Sequence, residues 1–177
     1  MSKAAKATKP YEFNDYLLTQ PAEFRPYLTE LRNLIKSITP NAEEVFVYLK
    51  TNGVKIGLDT GFSKEITNVI INRLGWLKDG KIDYVVSSDE VPAGRPQPYM
   101  IQKMMKEAGI EDAKKVVKLG DTEVDVNEGK NAGCLYTIGV TTGAFTREQL
   151  EPYEPSFIID DLKELIDILE NKVVNSQ

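Results

Sequence analysis

From Val54 onward, short apolar runs alternate with stretches of helical periodicity, and this alternation restricts the fold more than any other feature of the chain. VKIGLD (54–59), YVVSS (84–88), VVKLG (116–120), LYTIGV (135–140) and FIID (157–160) have the length and character of buried parallel strands. Helices are predicted between them over 63–74, over 98–108, from Asp121 or Thr122 onward, as a short turn over 146–150, and over 161–171. Strands and helices in this order require right-handed crossovers and a mostly parallel sheet covered on both faces. The expected fold is therefore a Rossmann-like three-layer α/β/α domain, with its ligands beyond the carboxyl ends of the strands.

The chain before Val54 has a different character. Residues 1–10, MSKAAKATKP, read as a disordered tail. Residues 11–38 read as helical: Phe24, Leu28, Leu31, Leu34, Ile35 and Ile38 form one stripe, Pro21 suits a first helical position, and Pro26 introduces a kink. Pro40 to Gly53 reads as a further helix with Val45, Tyr48 and Leu49 inward and Asn52-Gly53 as its stop. The change near Thr39-Pro40 gives the division into a tail (1–10), an N-terminal helical segment (11–39) and an α/β domain (40–177), and makes a junction there plausible.

Composition then limits the chemistry. A length of 177 residues suits one core of ordinary size, and a formal charge of -5 without a basic cluster argues against nucleic acid or an anionic membrane as partner. With Cys134 as the single cysteine and no apolar run of membrane-spanning length, a cytoplasmic setting is expected. The sequence contains no histidine, which removes Ser-His-Asp and Cys-His catalysis, His-ligated zinc and imidazole proton transfer. Chemistry must run on carboxylates, hydroxyls, Lys, Arg and a bound cation.

Three strand ends carry suitable groups. After VVKLG, Asp121 and Asp125 stand four residues apart at a helix start, so both carboxylates are expected to face one point, as in a Mg²⁺ site. The same residues also fit a helix cap and a favourable first-turn charge. After VKIGLD, the run Asp59-Thr60-Gly61-Phe62-Ser63 brings a hydroxyl, a permissive glycine and a helix N-terminus together, which fits a phosphate cradle and equally a plain turn capped by Ser63. After YVVSS, a loop of prolines and glycine presents Arg95, a permanent cation suited to phosphate oxygens or to solvent.

GDTEVDVNEGKNAGC, GRPQPYM and the strand ending at Thr60 together resemble the haloacid dehalogenase superfamily of phosphotransferases and hydrolases. The resemblance is greatest to its phosphonatase-like branch, similar to phosphonoacetaldehyde hydrolase, and covers roughly residues 40–165. It implies that Thr60, Gly61 and Arg95 hold a phosphoryl group of a small phosphorylated molecule and that Asp121 and Asp125 hold Mg²⁺, directly or through water. The segment from Tyr16 to Glu44 has a second, weak resemblance to a small frataxin-like domain of unknown function, which would give it a metal-handling or interaction role.

The superfamily's first motif, a strand ending in the nucleophilic Asp, has no counterpart before residue 50, and the cap helices with their Schiff-base lysine are also missing. The resemblance implies that this absent strand lies between the strands ending at Asp59 and Gly120. Those two strands would then pair directly, accept another chain's strand, or leave edges through which the chain could form a homo-oligomer. If they pair directly, Asp59 faces Asp121 and becomes a candidate surrogate nucleophile. Without a nucleophile, the alternative is a pseudo-phosphatase that binds phosphate or a partner without turnover.

Overall fold

The computed structural model describes residues 41–173, together with Ala22. The predicted tail, the helical reading of 11–38 with its apolar stripe, and most of the segment resembling the frataxin-like domain lie outside the described residues.

The first helix, α1 (Ala42–Thr51), has Glu43 and Glu44 in its first turn and ends at Asn52 and Gly53, whose φ of 74° is the left-handed stop that glycine permits. Val45 and Leu49 are buried as expected, together with Ala42 and Phe46, while Tyr48 is half-buried and donates to Glu170 at 2.5 Å. The hydrogen-bonded strand β1 (Gly57–Thr60) begins three residues later than the apolar run. Val54 is still tied to the helix end through Leu49 O at 2.9 Å, and Ile56 N donates to the Asp83 carboxylate at 2.8 Å while Ile56 O accepts from Tyr84 N at 3.2 Å, so the ladder starts only at the end of the 54–56 run.

The remaining elements follow the predicted alternation: α2 (Lys64–Leu74), β2 (Tyr84–Ser87), α3 (Tyr99–Ala108), β3 (Val117–Gly120), α4 (Glu123–Ala132), β4 (Tyr136–Val140), the short α5 (Arg147–Leu150), β5 (Phe157–Ile159) and α6 (Glu164–Val173). Glycines in the left-handed region close α2, α3 and α4 at Gly75, Gly109 and Gly133. No described helix is long and apolar enough to cross a membrane.

All strand pairs are parallel, but the strands lie in two sheets. β1 pairs with β2, and β4 stands between β3 and β5; no ladder joins β1 to β3. Of the three arrangements considered for these strands, direct pairing is therefore not the one adopted. The condition for Asp59 to face Asp121 across adjacent strands is not met.

Two helical layers hold the halves together. One core unites Val45, Phe46 and Leu49 of α1 with Ile71, Trp76 and Ile82 on the β1–β2 side and Ile138, Ile159 and Leu165 on the β3–β5 side. Phe46 meets Trp76 edge to face at 5.2 Å between ring centroids, and the Trp76 indole donates to Glu43 at 2.9 Å. On the opposite face α3 and α4 pack against the sheets and each other, with Met100, Ile101 and Val126 buried beneath them. The period-two alternation of strands sends Leu58 to the first core and Asp59 toward the second layer.

Candidate active site

At the end of β3, Thr122 caps α4 through a reciprocal box: Asp125 Oδ2 accepts from Thr122 Oγ1 at 2.7 Å and Thr122 N at 3.3 Å. Gly120 makes this possible, because a β-carbon there would stand 2.1 Å from Asp125 Cβ. Asp121 turns elsewhere. Its Oδ2 accepts from Ala144 N at 2.7 Å, and a β-carbon on Gly143 would lie 2.0 Å from the same oxygen. The two aspartates of the sequence motif are thus each seated against a glycine, but on different partners.

The loop after β2 is pinned from several sides. Ser88 Oγ donates to Gly61 O at 2.9 Å, Asn131 Nδ2 of α4 donates to Pro96 O at 2.8 Å, and the Arg95–Pro96 peptide is cis. Asp89 accepts from Lys64 N at 2.9 and 3.0 Å. This corrects one expectation: the cap expected from the Ser63 side chain is supplied instead by Asp89, from 25 residues away. Thr60 Oγ1 accepts from Phe62 N at 3.2 Å.

Arg95 remains the cation of this corner. Its Nη2 lies 3.3 Å from the point where a β-carbon of Gly61 would stand, and its Nη1 donates to Asp125 Oδ1. The structure therefore brings Gly61, Arg95 and Asp125 together, with Thr60 adjoining them in the chain. Asp121 Oδ2 is engaged by Ala144 N.

Two further residues complete the site. Lys118, in the middle of β3, is buried and places its ammonium 2.6 and 2.7 Å from the two oxygens of Asp59, 2.8 Å from Glu128 Oε2 and 3.6 Å from Asp125 Oδ1. Glu128 is fully buried, and its Oε1 has no hydrogen-bond partner. Burial pulls the Lys118 ammonium toward neutrality, but Asp59, Glu128 and Asp125 more than offset it and hold the pKa above the ordinary lysine value. Burial pushes Glu128 up to about 6 against the pull of Lys118. Burial also opposes ionisation of Asp125, yet Lys118 and Arg95 keep its carboxyl below its usual range.

The sequence reading missed Lys118 and Glu128. A charged residue inside the apolar run VVKLG was the available signal for the first, and a carboxylate one helical turn after Asp125 for the second.

Oxygens of Asp59, Asp125 and Glu128 lie within 4.8 Å of one another, a donor set that fits a hard divalent cation such as Mg²⁺. The orphaned Glu128 Oε1 supports that fit. The Lys118 ammonium already serves this trio as a tethered cation, so a metal held there would share or displace it.

The haloacid dehalogenase-like hydrolase family model matches residues 3–140, which include Thr60, Arg95, Asp121 and Asp125. The chain belongs to this family. The match begins well before residue 40 and so takes in the segment with the weaker frataxin-like resemblance. The haloacid dehalogenase-like chain is 33% identical over 158 residues to a phosphonoacetaldehyde hydrolase of Bacillus cereus, an alignment covering 87% of this chain and 58% of that protein. It thus spans little more than half the length of such curated relatives. Among solved structures, it is similar to a phosphonoacetaldehyde hydrolase-like protein from Oleispira antarctica (TM-score 0.60, 21% identity, covering 89% of this chain and 69% of that one). It is also similar to a hydrolase from Pseudomonas syringae (TM-score 0.65, 19% identity, covering 87% and 72%). At these identities the structural likeness establishes the fold alone, a Rossmann-like α/β core.

Proposed function

We propose that this chain provides the phosphate- and metal-binding part of a Mg²⁺-dependent phosphohydrolase of phosphonatase-like type, acting on a small phosphate or phosphonate compound. One observation carries the reading: Arg95 and Asp125, 30 residues apart, meet beside Gly61 at the carboxyl ends of the strands. Arg95 would fork onto phosphoryl oxygens, with the Thr60 hydroxyl and Gly61 backbone beside it. Asp125 would hold the cation with Asp121, or with Asp59 and Glu128. When bound, Mg²⁺ supplies positive charge that offsets the charge developing on the transferring group.

The missing step is nucleophilic attack. Asp59 is the candidate surrogate, but both of its oxygens are engaged by Lys118. An ammonium held this closely withdraws charge from the attacking oxygen. That observation favours a second reading, in which the same site binds phosphate without turnover.

The deciding experiment is Mg²⁺-dependent hydrolysis of an aryl phosphate by the purified chain, beside Asp59→Asn and Asp125→Asn variants, with thermal melting in phosphate as a second readout. Hydrolysis lost in both variants supports catalysis through Asp59. No hydrolysis, but a phosphate-induced rise in Tm that Arg95→Gln removes, supports the binding module. Neither hydrolysis nor stabilisation overturns both readings.

A further inference from the structure

Arg95, the cation assigned to the phosphate, is engaged by Asp125, the carboxylate assigned to the metal. An anion arriving at this corner would meet an arginine already paired and, with Glu128 ionised, an environment in which three carboxylates face two cations. The excess is one negative charge, and a divalent cation reverses its sign. Asp125 is also the carboxylate best able to change partner. Lys118 lies 3.6 Å from it but only 2.6 to 2.8 Å from Asp59 and Glu128, so Lys118 keeps its own counter-charges when Asp125 turns away. The Thr122 cap uses the other carboxylate oxygen, Oδ2.

We propose that Asp125 is a latch on Arg95: a divalent cation taken by Asp125 releases the guanidinium, and phosphate binding is thereby conditional on the metal. The proposal rests on the phosphate-site reading given above. It makes the two ligands thermodynamically linked, so each must raise the affinity for the other by the same factor.

Titration calorimetry with inorganic phosphate and Mg²⁺ tests this on the whole chain, with circular dichroism to verify folding. Saturating Mg²⁺ is expected to raise the phosphate affinity of the parent chain by about tenfold or more, within the usual range of such couplings. Asp125→Asn, which retains an acceptor for Thr122, is expected to bind phosphate more tightly than the parent without metal and to lose the response to Mg²⁺. Arg95→Gln is expected to bind Mg²⁺ more tightly than the parent without phosphate, and phosphate no longer alters that affinity; this arm decides the matter if Asp125→Asn does not fold. Phosphate binding that is equal with and without Mg²⁺ in the parent, or weaker in metal-free Asp125→Asn than in the parent, overturns the latch and leaves the phosphate site standing. Failure of the parent to bind phosphate under either condition removes both.

Discussion

The Lys118 ammonium grips both oxygens of Asp59 at 2.6 and 2.7 Å, linking β3 to β1 where no backbone ladder joins their sheets. The side chains are 9% and 6% exposed, so water contributes little to their solvation. The contact belongs to the fold as much as to the site.

Lys118→Met is therefore expected to destabilise the domain by about 3–5 kcal/mol, because it leaves Asp59 and Glu128 as buried carboxylates without their cation. Urea unfolding measures this, and adding Asp59→Asn should recover part of the loss. A change under about 1 kcal/mol would show that the seam is held mainly by its helices.

Glu128 gives a pH dependence of definite sign. Burial raises its carboxyl from an ordinary 4.5 to about 6, so between these values the folded chain binds more protons than the unfolded chain and stability falls as pH rises. The loss across that window is about 2 kcal/mol at 1.36 kcal/mol per pKa unit. Asp125 acts in the opposite sense and at lower pH: its pKa is depressed below 3.8, and its contribution is lost as pH falls through its folded value. Denaturation in metal-free buffer from pH 4.5 to 7 should show the Glu128 slope, and Glu128→Gln should flatten it.

Phe46 tests whether α1 is the strut joining the two sheets. It is buried against Trp76 in the core that also holds Ile138 and Ile159. Phe46→Ala should cost about 3–5 kcal/mol. Unfolding of the β1–β2 and β3–β5 parts should remain one transition in the parent, and a biphasic curve in the variant would identify α1 as the source of their cooperativity.

Gly143→Ala separates Asp121 from Asp125. The new β-carbon would fall 2.0 Å from Asp121 Oδ2 and 2.4 Å from Asp121 Cβ, in an exposed loop, so the backbone around Gly143 must shift and the Ala144 N contact with the carboxylate is disturbed. If Asp121 is a metal ligand, Mg²⁺ affinity should change severalfold with little change in Tm. Unchanged affinity would assign the ion to Asp125 with Asp59 and Glu128.

The sequence by itself determined the order and nearly all the boundaries of the elements from α1 to α6, because these depend on local signals. Thr122 caps α4, Gly75, Gly109 and Gly133 end their helices, and short apolar runs mark strands over a few residues. Strand-end position and the family resemblance together picked out Thr60, Gly61, Arg95, Asp121 and Asp125, of which Gly61, Arg95 and Asp125 meet in the structure. Only the tertiary structure decided which charge meets which. Asp89 rather than the Ser63 side chain caps α2, Asp121 turns to Ala144, and Lys118 reaches Asp59 across 59 residues. The separation into two sheets belongs to the same class of fact. Periodicity reports which face of an element is buried, but a side chain's partner depends on packing between elements distant in sequence, and no local pattern encodes that distance.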